Sequence, residues 1–176
     1  MAGSWPEEKP LLMAAAEHYF IKTHDYPEDE ERAIVIVRDP RATIVSYWHY
    51  LNEIEGQSIS LETVAKGLCG FGGWNAFYSA WQPQCRANTL LLHYEELFAE
   101  TSKSVARISG FTGFKPNGPW NSKFSKFNAI DPVFFRAGNN QANISELSPQ
   151  LETLIISHCG PMMEKLGYQT PPPSPA

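Results

Sequence analysis

The segment from residue 33 to residue 54 constrains the fold of this chain more than any other. Ala33-Ile-Val-Ile-Val37 is rich in β-branched residues on both of its alternating faces, a pattern typical of a strand that is buried on both sides of a mostly parallel sheet. Asp39 and Pro40 then supply an N-cap and a first helical residue, and apolar residues recur at helical spacing as far as Ile54. The sequence therefore predicts a strand that runs directly into a helix, the repeating unit of an α/β fold.

A second buried strand is predicted at Thr89-Leu-Leu-Leu-His93, and strands and helices alternate elsewhere in the chain. The predicted class is α/β with a mostly parallel sheet, in a single domain over residues 1–170, and the Pro-rich residues 171–176 are expected to form a disordered tail. The remaining predicted elements are a short strand at His18–Lys22, helices at Ser60–Leu68, Trp74–Cys85 and Leu97–Ile108 (with Gly110 as its cap), a long irregular stretch at Phe111–Asn143, and a last helix from Ser148 that is interrupted near Pro161.

Composition narrows the classes of function. A formal net charge of −5 argues against nucleic-acid binding by a broad basic surface. No apolar run approaches the ~20 residues that a membrane span needs, so no membrane span is expected. Three scattered cysteines form neither a disulfide framework nor a zinc spacing. We therefore expect a cytoplasmic protein that requires no metal.

Arg38 stands where the predicted strand ends and the predicted helix begins. In α/β proteins this edge of the sheet binds ligands, and the unpaired N–H groups of a first helical turn favour an anion. The guanidinium adds a fork that matches a phosphate, and the Ser46 hydroxyl lies two turns further on. A second interpretation remains open: Arg38 caps the sheet and pairs with Asp39 or with an acidic loop.

Arg38-Asp-Pro-Arg-Ala-Thr-Ile-Val-Ser46 resembles the 3′-phosphate-binding segment of the sulfotransferases that use 3′-phosphoadenosine 5′-phosphosulfate (PAPS). In that family an arginine ends a strand and a serine follows eight residues later, and both contact the 3′-phosphate. Further motifs resemble the family in the same order along the chain, from about Phe20 to Tyr168. They are Lys22-Thr23-His24, Gly73-Trp74 followed by Trp81, His93-Tyr94-Glu95-Glu96, and Phe135-Arg136-Ala137-Gly138.

The resemblance implies a P-loop-NTPase-like three-layer sandwich and a sulfotransferase that moves a sulfuryl group from PAPS to a hydroxyl or amine of a small-molecule acceptor. His24 would be the catalytic base, a role that suits an imidazole near neutral pH, and Lys22 would stabilise charge on the leaving phosphate. The co-substrate would be held by Arg38, Ser46, Tyr94, Arg136 and Gly138, with Tyr94 near the adenine and the last two in a loop over the 3′-phosphate.

One family element is not found: the early loop of the kind Pro-Lys/Arg-Ser-Gly-Thr-Thr that wraps the 5′-phosphosulfate. We therefore expect an N-terminally truncated domain, and three explanations stay open. In the first, the chain is a fragment. In the second, the missing loop comes from a divergent segment or from another chain, so that a homo-oligomer or partner covers the incomplete sheet. In the third, the protein is a degenerate, non-catalytic nucleotide-binding or protein-interaction module. A kinase is disfavoured because no Gly-x-x-x-x-Gly-Lys-Ser/Thr element is present. Ala137 replaces the lysine of the late motif, which should weaken the grip on phosphate.

Overall fold

Two parallel strands, β1 (Ala33–Val37) and β2 (Thr89–His93), form the sheet in the computed structural model, which describes residues 20–70, 72–118, 124–136 and 143–170. Both strands have the predicted bounds. Ala33 pairs with Thr89 and Val37 with His93, so the residues that follow the two strands lie side by side at the C-terminal end of the sheet.

Helices follow and cover these strands, as predicted for an α/β fold. The helix after β1 continues as a π-helical turn at Tyr50–Ile54. The helices are α1 (Pro40–His49), α2 (Leu61–Ala65), α3 (Trp74–Trp81), α4 (Tyr94–Ala99), α5 (Thr101–Thr112), α6 (Phe124–Ile130) and α7 (Pro149–Lys165). Among the described residues, no helix has the length and apolar character needed to cross a membrane.

The hydrophobic core lies on one face of β1. Val35 and Val37 are buried there against side chains of α1, α2, α3 and α7. Ile36 points the other way and is 47% exposed. Burial of β1 on both faces was predicted, and this is wrong at Ile36, which lies beside an open cavity.

The last helix is not interrupted at Pro161: α7 runs through it to Lys165. A proline inside a helix costs about 3 kcal/mol because it lacks an N–H group and crowds the preceding turn. Here the ring is exposed, while Cys159, Met162 and Met163 on either side are buried in the core. Burial of these neighbours outweighs the missing hydrogen bond.

The predicted helix Leu97–Ile108 is two helices, α4 and α5, separated at Glu100. The hydroxyls of Thr101 and Ser104 donate to carbonyls at the end of α4, which satisfies groups that a continuous helix would have paired. The cap of α5 is Gly113, with a left-handed φ of 81°, rather than Gly110.

Three other sequence predictions need correction. Residues 20–22 of the predicted strand His18–Lys22 are not in a strand, and Phe20 instead contacts the Phe114 ring at 5.6 Å between centroids. The predicted helix Trp74–Cys85 ends at Trp81, because Gln82 adopts a left-handed conformation. The stretch predicted to be irregular contains α6.

Candidate functional site

A cavity of about 1430 Å³ runs along β1 and reaches its C-terminal end. It brings together most of the residues that the sequence singled out, although they come from separate segments. Lining it are Lys22, His24, Arg38, Ser46, Tyr94 and Arg136. The predicted site residue Gly138 and the predicted tail at 171–176 lie outside the described residues.

Arg38 and Tyr94 follow directly after β1 and β2, and the pairing of Val37 with His93 makes them neighbours. The Arg38 guanidinium lies 4.5 Å from the centroid of the Tyr94 ring, in cation–π contact. Partial burial lowers the pKa of Arg38, although Tyr94, Glu95 and Asp39 oppose that shift. The guanidinium remains charged, so the site holds a fixed, partly desolvated positive charge.

The start of α1 differs from the sequence expectation. Asp39 caps the helix as predicted, since its Oδ1 accepts from the backbone N–H of Arg41 at 2.9 Å. The backbone N–H of Asp39 donates to Glu95 Oε1 at 3.4 Å, and Pro40 has none. The N–H groups of Asp39 and Arg41 therefore serve the protein's own carboxylates, while the Arg38 side chain lines the cavity beside them.

The alternative interpretation of Arg38 paired it with Asp39. The Asp39 carboxylate instead receives Arg41, whose Nη2 lies 2.7 Å from Asp39 Oδ2 and whose Nη1 lies 3.0 Å from Glu152 Oε1. Arg41 thereby fastens the start of α1 to α7. The structure separates two neighbouring arginines into a structural one and one that lines the cavity.

Two aromatic residues of α3 hold the C-terminal end of β1. The Tyr78 hydroxyl donates to the Ile36 carbonyl at 2.9 Å, and Trp74 Nε1 donates to the Arg38 carbonyl at 2.9 Å. The Ala33 N–H donates to Asn88 next to β2; because alternate residues of a strand direct their backbone groups to opposite sides, the Ile36 and Arg38 carbonyls face away from β2. The α3 side chains thus donate hydrogen bonds to the β1 carbonyls that face away from β2, and they fix the backbone that carries Arg38.

His24 and Lys22 lie on the connection that precedes β1. Partial burial and the nearby charge of Lys22 lower the pKa of His24, although Asp25 opposes them. A lowered pKa keeps the imidazole neutral near pH 7, the form that can accept a proton. The indole N–H of Trp81 donates to the Asp25 carbonyl at 3.0 Å and holds this connection against α3.

Ser46 and Arg136 enter the cavity from α1 and from the segment after α6. Ser46 is partly buried. Arg136 donates from Nη1 to Glu146 Oε1 and from Nη2 to Asn143 Oδ1, both at 2.9 Å. Arg136 is therefore held by neighbouring side chains rather than extended into solvent.

Sequence reasoning missed the residues around Arg136. His49 Nδ1 lies 2.5 Å from Glu53 Oε1, and His49 Nε2 lies 2.7 Å from Glu146 Oε2. The spacing of His49 and Glu53, four residues apart on a helix, was a usable signal for the first contact. The second joins residues 97 positions apart, and no local pattern indicates it.

Two more arginines line the cavity but serve the structure. Arg86 donates to the carbonyls of Asp29 and Glu31 at 2.9 and 2.7 Å, which ties the acidic connection to the start of β2. Arg32 donates to the Phe111 carbonyl and lies over the Phe111 ring. Among the residues described, no cluster of three or more His, Cys, Asp or Glu is arranged to bind a metal ion.

Comparison with known proteins identifies relatives. The sulfotransferase domain family matches residues 6–129. Human sulfotransferase 2B1 is 32% identical over 121 residues, which cover 64% of this chain and 33% of that protein. Mouse sulfotransferase 2A6 is 27% identical over 150 residues, which cover 79% of this chain and 50% of that protein.

Among solved structures, mouse sulfotransferase SULT7A1 in complex with PAP superposes with a TM-score of 0.63 at 22% identity, over 78% of this chain and 62% of that one. This likeness establishes the fold, and the α/β class with a parallel sheet is confirmed. The chain spans between a third and a half of the length of the two curated relatives named above.

Proposed function

The chain belongs to the sulfotransferase domain family, and on that premise we propose that it binds PAPS and transfers its sulfuryl group to a hydroxyl or amine of a small-molecule acceptor. One observation carries the proposal. Candidate base, candidate phosphate ligands and candidate adenine contact come from four separate segments of the sequence and line one cavity.

In the proposed complex, the 3′-phosphate of the nucleotide lies against Arg38, Ser46 and Arg136. Arginine suits this role because its planar fork makes two parallel hydrogen bonds to phosphate oxygens. The Tyr94 ring, which already contacts Arg38, offers a flat apolar surface to the adenine. The discrimination between PAPS and nucleotides without a 3′-phosphate depends on this corner of the cavity.

The proposed transfer is a single in-line displacement at sulfur. His24 accepts the proton of the acceptor hydroxyl while the acceptor oxygen forms a new bond to sulfur. The bond between sulfur and the phosphate oxygen breaks, and its electron pair leaves with adenosine 3′,5′-bisphosphate. Lys22 stabilises the negative charge that develops on the leaving phosphate. The pKa shift of His24 supports this assignment, since the base must be neutral before transfer.

Two measurements test the proposal. Calorimetry of the chain with adenosine 3′,5′-bisphosphate and with adenosine 5′-phosphate should show tighter binding of the bisphosphate. A transfer assay with ³⁵S-labelled PAPS and a panel of phenols, alcohols and amines should yield a labelled ester or sulfamate. Equal affinity for the two nucleotides would contradict the proposed 3′-phosphate site, and binding without transfer to any acceptor would limit the function to nucleotide binding.

A further inference from the structure

Asn143 is a buried amide that joins two walls of the cavity. The residue is only 4% exposed. Its Nδ2 donates to the backbone carbonyl of Ala42 in α1 at 3.2 Å, and its Oδ1 accepts from Arg136 Nη2 at 2.9 Å. The amide thus donates one hydrogen bond to the helix and accepts one from the arginine, and it connects the two without adding charge.

The helix positions involved share one face of α1. The Ala42 carbonyl points along the helix axis toward Ser46, four residues further on, and the side chains of Ser46 and His49, three residues apart, lie on one side of α1. Asn143 reaches Arg136 from the turn before Ser46. Glu146 contacts His49 Nε2 at 2.7 Å and Arg136 Nη1 at 2.9 Å. It therefore reaches Arg136 from the turn after Ser46.

Arg136 is therefore tied to α1 on both sides of Ser46. A guanidinium has five N–H donors, and these contacts use two of them. Three donors remain for a ligand, while the contacts restrict the rotation of the group. A preorganised cation loses less conformational freedom when it binds an anion.

We infer that Asn143, supported by the Glu146–His49 pair, is a positioning residue that fixes Arg136 over the Ser46 face of α1, so that arginine and serine together take the 3′-phosphate. This inference rests on the proposed function, because it assigns the groups that organise the phosphate corner of the same cavity. Asn143 acts through Arg136 and does not itself touch the nucleotide.

The first experiment needs no ligand. In the NMR spectrum of the ¹⁵N-labelled chain, a held guanidinium rotates slowly about its Nε–Cζ bond and gives separate Nη signals. We expect separate signals for Arg136 in the wild type, and their collapse to one averaged signal in Asn143→Ala. A single averaged Arg136 signal in the wild type would overturn the inference, whether or not the chain binds any nucleotide.

The second experiment measures the affinity ratio between adenosine 3′,5′-bisphosphate and adenosine 5′-phosphate. Asn143→Ala should lower this ratio about tenfold, as expected when a charged hydrogen bond loses its geometry, and leave the affinity for the 5′-phosphate unchanged. Asn52→Ala is the matched control. Asn52 is also an asparagine that bonds carbonyls near the same helix, at Trp48 and Ile59, and its hydrogen bonds do not involve Arg136.

The outcomes separate the two proposals. A wild type that prefers neither nucleotide refutes the 3′-phosphate site, while the Arg136 signals still decide whether the arginine is held. If Asn143→Ala weakens both nucleotides equally, Asn143 only supports the fold and the positioning role is wrong. An unchanged ratio in a folded Asn143→Ala variant also refutes it.

Discussion

Replacing Arg38 with alanine tests the candidate site most directly. Arg38 is partly buried at the end of β1 and is in contact with Tyr94, so its charge is less screened by salt than a fully exposed one. The variant removes the guanidinium but leaves Tyr94, Ser46 and Arg136 in place. Because Arg38 lies where β1 ends, its side chain is not part of the buried core.

The size of the effect follows from what is lost on binding. A hydrogen bond to a charged group contributes about 1.5–3 kcal/mol. The cation–π contact with Tyr94 exists before the ligand arrives, so its loss changes stability rather than affinity. We therefore expect the affinity for adenosine 3′,5′-bisphosphate to fall by about 10–150-fold, with little change for adenosine 5′-phosphate.

Isothermal titration calorimetry with both nucleotides measures this change. Arg41→Ala is the matched control, because it removes an equal charge only three residues along the chain from Arg38. The Arg41 side chain pairs with Asp39 and Glu152. The affinity of this variant for the bisphosphate should stay within about threefold of the wild type. Unchanged affinity in Arg38→Ala, or equal losses in the two arginine variants, would refute the assignment of Arg38 to the 3′-phosphate.

Three other predictions follow from the contacts around the cavity. His24→Gln should lower sulfuryl transfer by about 10²-fold or more without changing nucleotide affinity. The acid limb of the wild-type pH–rate profile should lie below the ordinary pKa of histidine, because burial and Lys22 lower the pKa of His24. An acid limb unchanged in the variant would exclude His24 as the base. Tyr78→Phe should cost about 1–3 kcal/mol in thermal unfolding, because it leaves the Ile36 carbonyl without its donor; an unchanged melting temperature would contradict this. Burial raises the pKa of Glu146, but hydrogen bonds from His49 and Arg136 outweigh it and hold that pKa below its ordinary value. The ionised carboxylate therefore stabilises the fold at pH 7, and the effect is lost as the pH falls through the lowered pKa. Glu146→Gln should be less stable than the wild type at pH 7, and the gap should close in acid unfolding curves; a constant gap would refute the linkage.

Local sequence patterns predicted the parts of the site that depend on neighbouring residues. The β-branched run predicted β1, and the Asp39-Pro40 pair predicted the start of α1, because strand propensity and helix capping act within a few residues. The eight-residue spacing from Arg38 to Ser46 gained its meaning only from the family resemblance. The roles of these residues came from the family resemblance.

Other features depended on packing and were predicted wrongly or missed. The sequence indicated a break at Pro161, but burial of Met162 and Met163 carries the helix through it. It also indicated open N–H groups at the start of α1, but the Asp39 N–H there donates to Glu95 in the first turn of α4. Such contacts join residues far apart in the chain, and local propensity carries no information about them.

By itself, the sequence determined the α/β class and both strands, and through the family resemblance it named the candidate base and phosphate ligands. Only the tertiary structure decided how these groups meet. The parallel register of β1 and β2 places Arg38 against Tyr94, and the packing of Asn143 on α1 fixes where Arg136 lies. The physical reason is range: capping and strand propensity act between neighbours in the chain, whereas register and burial are set by the fold as a whole.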